Sequence, residues 1–379
     1  MILTRGARVT GAVLCAVLAA VVAGWIVRDL RAVGDAPALL RYWAGYTDGW
    51  PKELPATLQA DPVLLVVHVL ALIAALRSSV AASTLVATGL VTLVLRLPGV
   101  WTIGSSWMDA RYGDELRTRA LVGTFVTLAA ALALVVTGAA GRRRPEDMYE
   151  PRPTRPGRGA GVTAFLVLGT SGAVLIAWEV RQLFTLPDDF YPDWFIGGRH
   201  IPAGLTAAPP GWSGVALGVA CLVVAWTALF RAVHARPLGM TVAGLLLVSG
   251  ACGIARAVHN TWLEHFGEVP AEGKLIMLTS FLLASAGATA LLVLAGKGSE
   301  SADERDQEYG GYGPPRAGTP GYGYPQTGAQ GYGYPQGYGY PQGGTPGYGY
   351  PQTGAPGYGY PSGGGPGSPP PPAPPPPDW

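Results

Sequence analysis

VTGAVLCAVLAAVVAGWIVRDLR, residues 9–31, is the stretch that decides the fold. Its first nineteen residues, 9–27, carry no charged side chain, and Arg28 ends the run. A helix of about 20 consecutive apolar residues is long enough to cross the hydrocarbon core of a bilayer. The stretch therefore predicts a membrane-spanning helix. Seven further apolar runs lie near residues 62–76, 79–95, 120–140, 161–178, 213–230, 238–255 and 275–296.

The composition of the whole chain agrees with a bilayer environment. Of its 379 residues, 49% are hydrophobic and 13% are charged, whereas soluble domains carry about 25% charged residues. We therefore expect an all-α fold, a polytopic membrane helix bundle of eight transmembrane helices. Such a chain is a multi-pass protein of the cell membrane, and the lipid bilayer is its first expected partner.

Charge and cysteine content argue against two classes of site. The net charge of +2 is small, and no basic run is interleaved with aromatic residues. Nucleic acid is therefore not an expected partner. Cys15, Cys221 and Cys252 all fall inside apolar runs and form no C-x-x-C pair. This pattern supports neither a disulfide framework nor a zinc site, and we expect no metal and no cofactor.

The number of helices depends on one short connection. Only RSS, residues 77–79, separates the second apolar run from the third. A tight turn there gives two helices and a total of eight. A single long, kinked helix would instead give seven and would place the two chain ends on opposite sides of the membrane.

A motif that occurs twice indicates a duplicated four-helix unit. The pattern W-x-V-R-x-L runs from Trp25 to Leu30 and again from Trp178 to Leu183. Units with an even number of helices enter the membrane from the same side, so the two units form a parallel repeat. The predicted organisation is a first membrane unit at 1–140, a basic cytoplasmic linker at 141–160, a second membrane unit at 161–297 and a tail at 298–379.

The repeat also bears on the fate of the first helix. Arg5 and Arg8 precede an apolar run, as they do in a secretory leader that is later removed. A cleaved leader would have no counterpart in the second unit. We therefore expect the first helix to be retained.

The distribution of arginine predicts the orientation. The segment GRRRPEDMYEPRPTRPGRG, residues 141–159, holds six arginines, and cytoplasmic loops carry an excess of basic residues. Both termini are therefore expected in the cytoplasm. Nine of the eleven tryptophans then fall on the outer side or at its boundary. They form either an aromatic belt with compact loops or an extracytoplasmic cap that binds a ligand.

Arginines end the odd-numbered helices at the outer side, at Arg28, Arg96, Arg181 and Arg256. Together with Glu179 they would surround one vestibule. Guanidinium groups match phosphate and carboxylate with paired donors, so an anionic ligand or lipid at the outer face is one hypothesis. Anchoring is the alternative, because the helix dipole and snorkelling favour a base at the end of every helix. The even-numbered helices also end on bases, at Arg77, Arg142, Arg231 and Lys297.

His68 lies near the middle of the second apolar run. An ionisable side chain at that depth is costly and is a candidate functional residue. The alternative is a neutral imidazole that bonds to a hydroxyl or carbonyl of a neighbouring helix. Haem is not supported, because no second histidine lies at a similar depth.

The composition changes completely in the tail. Five copies of GYGYP begin at Gly321, Gly331, Gly337, Gly347 and Gly357, and PPPPAPPPPDW ends the chain. Glycine and proline at this density predict disorder, with polyproline II at the end. The tail either binds protein partners, for example by docking its proline run in an aromatic groove of the partner, or serves as a solvated spacer. It resembles the tails of actinobacterial multi-pass membrane proteins that carry GYGYPQ repeats. The resemblance covers about sixty residues of low complexity and implies no activity.

No pattern typical of an enzyme occurs before the tail. Residues 1–297 contain no G-x-S-x-G elbow, no P-loop and no H-E-x-x-H pair. We therefore expect a non-catalytic membrane protein with an interaction, sensing or envelope-organising role. A small-solute or ion transporter with its site at the repeat interface, near His68, is the alternative hypothesis.

Overall fold

The structure, a computed structural model, describes residues 2–46, 53–143, 153–201 and 204–296. The tail, for which disorder is predicted, and the central part of the predicted linker lie outside these residues. Apart from the two-residue strands β1 (Ile2–Leu3) and β2 (Arg142–Arg143), the regular structure is helical. The helices are α1 (Arg5–Val33), α2 (Ala36–Ala44), α3 (Ala60–Arg77), α4 (Ala81–Arg96), α5 (Gly99–Thr102), α6 (Asp114–Ala140), α7 (Arg158–Thr185), α8 (Phe190–Ile196), α9 (Pro210–Leu229), α10 (Ala235–His259) and α11 (Ala271–Ala295). A short 3₁₀ turn spans Ser106–Met108.

Eight helical segments of the described chain are long and apolar enough to cross a membrane. They are α1, α3, α4 continued through α5, α6, α7, α9, α10 and α11. The predicted all-α polytopic bundle is therefore confirmed. The doubtful connection is also settled, because Ser78 has extended backbone (φ −99°, ψ 147°) and separates α3 from α4. The alternative of seven helices is wrong.

The two ends of the bundle differ in structure. At one end α1, α4, α7 and α10 finish and α3, α6, α9 and α11 begin; we call this end the cap face. The short helices α2, α5 and α8 follow the spanning helices there. We call the opposite end the linker face. At the linker face β1 pairs with β2 in antiparallel register, Ile2 with Arg143 and Leu3 with Arg142.

The helices pack in the same order in the two halves of the chain. In the first half, residues 2–143, α1 packs on α3 and α6, and α4 packs on the same two helices. In the second half, residues 153–296, α7 packs on α9 and α11, and α10 packs on the same two helices. A duplicated unit predicts this matched packing. The repeat itself stays a prediction, as do the boundaries of the four predicted regions.

Small residues bring α10 and α11 close together. A Cβ added at Gly287 would lie 2.6 Å from the backbone nitrogen of Leu247 and 2.7 Å from the carbonyl oxygen of Ala243. A Cβ at Gly250 would lie 2.6 Å from the carbonyl oxygen of Ser280. Apolar burial gives no drive for helix association in lipid, so the close backbone packing seen here contributes to holding this pair together.

Each half has its own apolar core. The first half is centred on Leu18, Leu85 and Leu134, and the second half on a separate group that includes Leu168 and Leu246. A third cluster lies at the cap face and contains residues of both halves. It comprises Ala56, Ile103, Met108, Tyr112, Ala120 and Leu205.

Candidate functional site

A carboxylate near the end of α1 holds the loop that precedes α3. Asp29 is fully buried. Its oxygens accept hydrogen bonds from the backbone N–H groups of Ala56 (3.0 Å) and Thr57 (2.7 Å) and from the Thr57 hydroxyl (2.5 Å). Arg28 adds a fourth donor at 2.9 Å. Because a buried charge must be paired and hydrogen-bonded, this set fixes the loop of residues 53–59 against α1.

Two aromatic side chains hold the same loop from other elements. The Tyr112 hydroxyl donates to the carbonyl of Pro55 at 3.1 Å, and Trp43 Nε1 donates to the Thr57 hydroxyl at 3.2 Å. Burial raises the pKa of Tyr112 above its ordinary value, so the phenol keeps the proton that it donates. The loop is thus tied to α1, to α2 and to the segment before α6.

Arg96, the last residue of α4, connects three elements. Its Nη2 forms an ion pair with Oδ1 of Asp61 at the start of α3, and its Nη1 donates to the carbonyl of Thr206 in the second half. The side chains of Arg96 and Asp61 are only 10% and 3% exposed. The other oxygen of Asp61 accepts from the N–H of Leu58 at 2.7 Å. Because both charges are removed from water, losing either partner leaves a buried, unpaired charge.

Hydrogen bonds between the two halves gather at the cap face. Thr206 donates to the carbonyl of Ala56 through its N–H (3.1 Å) and through its hydroxyl (2.9 Å). Other bonds run from Trp212 Nε1 to Val94 O (2.8 Å), from Trp101 Nε1 to Ile196 O (2.9 Å) and from the Tyr46 hydroxyl to Ala255 O (3.3 Å). All of these bonds lie at the cap face. They join loops and helix ends that are about a hundred residues or more apart.

A cavity of about 580 Å³ lies between the halves. It extends from the hydrogen-bonded residues at the cap face into the bundle. Its wall is formed by α3 and α4 of the first half and by α8, α9, α10 and residues 206–208 of the second. Most of the lining consists of leucine, valine and alanine. The polar or charged lining residues are Gln59, Asp61, Arg96, Thr206, Trp212, Ser213 and Ser249. Small-molecule sites have volumes of about 300–1,000 Å³ and combine apolar walls with a few polar groups.

Similarity to known proteins gives no guide to the use of this cavity. The chain matches no protein-family model, no curated protein and no solved structure. Its function is therefore inferred from the cavity and from the residues that surround it.

The four predicted arginines have different surroundings. Arg28 pairs with Asp29 and also contacts Glu53 at 3.5 Å, and Arg96 pairs with Asp61 as described above. Arg181 pairs with Glu272 at 3.2 Å and lies over the Trp178 ring, 5.2 Å from its centroid. Arg256 lies beside Gly45, where an added Cβ would be 3.3 Å from its Nη1. Three of the four thus face a carboxylate. The single vestibule for an anion stays a prediction.

Glu179 lies in the second half and contacts an aromatic side chain. Its Oε2 accepts a hydrogen bond from Trp194 Nε1 at 2.8 Å. This bond ties α7 to α8, whose residue Phe195 lines the cavity. Glu179 therefore supports the wall of the cavity but is not part of its lining.

His68 bonds to the neighbouring helix. It is fully buried, and its Nε2 lies 3.0 Å from the hydroxyl of Thr92 on α4. Its Nδ1 has no partner among the described residues. An unpaired buried N–H is rarer than an unpaired acceptor, so the tautomer with the proton on Nε2 is favoured. A bond to a threonine of the adjacent helix is what a structural role predicts, and a functional role for His68 stays a prediction.

Asp29, Asp61 and Thr206 were not identified from the sequence. One signal was present for Asp61: it begins one apolar run, and Arg96 ends the next. Antiparallel neighbours place the start of one helix beside the end of the other, so opposite charges there can pair. Asp29 and Thr206 carried no such signal, because Asp29 binds loop residues 56–57 and Thr206 itself lies in a loop, bonded to residues at least 110 positions away. Within the described residues, no group of three His, Cys, Asp or Glu side chains is placed to hold a metal ion.

Proposed function

We propose that this multi-pass membrane protein is non-catalytic and binds a small apolar or amphipathic molecule in the cavity between its two halves. One observation carries the proposal: the cavity is lined by helices of both halves and reaches Arg96, Thr206 and Trp212, whose hydrogen bonds join the halves at the cap face. A ligand in this position contacts both halves at once. Its binding would therefore change the free energy with which the halves associate.

The charges of the lining support binding rather than catalysis. Asp61 and Arg96 are the titratable side chains of the lining, and they are paired with each other. A general acid or base must be free to exchange a proton with the substrate. Asp61 is instead occupied by Arg96 and by the N–H of Leu58. The pair also cancels its own charge, which leaves little field to attract an ion.

A binding protein of this kind suits the roles expected from the sequence. A ligand that changes the association of the halves could serve sensing or envelope organisation. We place the cap face outside the cell and both termini in the cytoplasm, following the arginines of the linker. Protein partners of the tail and an anionic ligand or lipid at the outer face stay predictions.

Filling the cavity tests the proposal. Ala220 lines the cavity in the middle of α9, so Ala220→Phe would place a ring where the ligand lies. The expected result is a loss of bound molecule by about tenfold or more, because the ring takes up volume that the ligand needs, and a tenfold loss of affinity corresponds to about 1.4 kcal/mol. The measurement is the intact mass of the protein together with any bound molecule after extraction in native lipid particles.

Ala129→Phe is the matched control. Ala129 lies on α6, is exposed on the surface of the bundle and is not part of the cavity lining. This variant should keep the molecule that accompanies the unmodified chain. The proposal predicts a molecule that accompanies the unmodified chain and Ala129→Phe and is lost from Ala220→Phe. If no such molecule is found, the proposal is wrong.

A transporter is the second candidate. It is favoured by the position of the cavity between the two halves, because the substrate sites of many transporters lie at the interface between two repeats. Transport predicts solute flux in proteoliposomes that Ala220→Phe abolishes and that His68→Ala alters. A panel of small solutes and ions without flux above empty liposomes would exclude this candidate.

A further inference from the structure

The rim of the cavity opens toward the bilayer. Large apolar residues of α4 and α9 stand on the two sides of the opening. Leu90 and Val94 on α4 are 45% and 40% exposed, and Val219 and Val223 on α9 are 48% and 46% exposed. All four line the cavity. Because such side chains face hydrocarbon in a membrane-spanning segment, a molecule can enter between α4 and α9 without passing through water.

The cavity is also long enough for a hydrocarbon chain. Along α9 its lining runs from Trp212 to Val223. Eleven residues of helix rise about 16 Å, which is about half of the roughly 30 Å hydrocarbon thickness of a bilayer. Along α9 the lining thus covers about the depth of one leaflet from the cap face, and Leu238 in the first turn of α10 extends it further toward the linker face.

The polar and apolar lining residues of the cavity are arranged along its length like the head and the chain of a lipid. Gln59, Arg96 and Ser213 line the end at the cap face, at the level of Trp212, and tryptophan is typical of the membrane interface. Below them the walls are leucine, valine and alanine, with one hydroxyl, that of Ser249. A lipid likewise has its polar head at the interface and its chain below.

From these three observations we infer that the ligand is a membrane lipid, held by one hydrocarbon chain, which enters the cavity sideways between α4 and α9. This inference rests on the proposed function and adds the class of ligand. The head of the lipid lies at the cap face beside the Arg96–Asp61 pair. Because that pair has no net charge, the site holds the chain more strongly than it selects the charge of the head.

Photolabelling tests the inference directly. The full chain is reconstituted in phosphatidylethanolamine and phosphatidylglycerol vesicles that contain a trace of phospholipid with a diazirine in the middle of one acyl chain. After irradiation, the labelled residues are located by peptide mass spectrometry. The expected adducts concentrate on Leu90, Val91, Val219 and Val223, which line the cavity below the level of Trp212. Ala220→Phe should reduce these adducts about tenfold, and Ala129→Phe should leave them unchanged.

Adducts at the outer surface serve as an internal control for folding. Leu166 on α7 and Leu278 on α11 are 58% and 57% exposed and should be labelled equally in all variants. If Ala220→Phe loses those adducts as well, Ala216→Leu replaces it, because Ala216 also lines the cavity and leucine is smaller than phenylalanine.

The outcomes separate this inference from the proposed function. Adducts spread evenly over all exposed apolar surfaces would overturn the lipid assignment. If the cavity then carries another small apolar or amphipathic molecule that Ala220→Phe displaces, the proposed function stands without the lipid. If no molecule is displaced at all, both are wrong.

Discussion

The Asp29→Ala variant should lose about 3–5 kcal/mol of unfolding free energy, one of the two largest effects expected at the cap face. The substitution leaves the N–H groups of Ala56 and Thr57 and the Thr57 hydroxyl without the acceptor they have in the structure. Each buried donor without a partner costs about 1–3 kcal/mol. The measurement is chemical denaturation in mixed micelles, followed by circular dichroism.

Asp35→Ala is the matched control for Asp29. Asp35 caps α2 by accepting from the N–H of Ala38 at 3.1 Å, and it is exposed. Loss of such a cap costs about 0.5–2 kcal/mol. If Asp29→Ala costs no more than Asp35→Ala, the loop of residues 53–59 is not held by the carboxylate. Hydrogen exchange of residues 53–59 should rise in Asp29→Ala and stay unchanged in the control.

Arg96→Leu should be about as damaging as Asp29→Ala. It leaves Asp61 charged, buried and without its ion-pair partner. Breaking a buried pair in this way costs about 3–5 kcal/mol. The double variant Asp61→Leu with Arg96→Leu should recover most of that loss, because replacing a buried pair by apolar residues is often neutral or stabilising.

An exposed ion pair provides the contrast. Arg119 and Glu115 form a pair on α6 with side chains that are 68% and 81% exposed. Removing either charge should change the unfolding free energy by no more than about 0.5 kcal/mol. If the Arg96 single variant and the double variant are equally unstable, the bond from Arg96 to Thr206 matters more than the pair with Asp61. In that case, hydrogen exchange at residues 204–209 should rise in both.

The sequence predicted the spanning helices because their signal is local. Each needs only a run of apolar side chains long enough for the bilayer, and that run can be read without knowing its neighbours. The break between α3 and α4 was correctly placed at residues 77–79 for the same reason. The identical packing order of the two halves agrees with the repeated W-x-V-R-x-L motif but could not be deduced from it.

The site was only partly predictable because its contacts are distant in sequence. Arg96 was identified as a candidate, but its bond to Thr206 spans 110 residues, and no local pattern marks such a partner. The expectation for Arg28 came from its place at a helix end, whereas the structure gives it the neighbouring Asp29 as a partner. The cavity is lined mainly by α3 and α4 of one half and by α9 and α10 of the other, so it depends on how helices distant in sequence pack and not on any single run.

The most direct measurement is an experimental density map of the full chain in native lipid particles. We expect elongated density between α4 and α9, lying against α10 and ending beside Arg96, and its absence in Ala220→Phe. An empty groove in which α4 and α9 close onto each other would contradict binding between the halves.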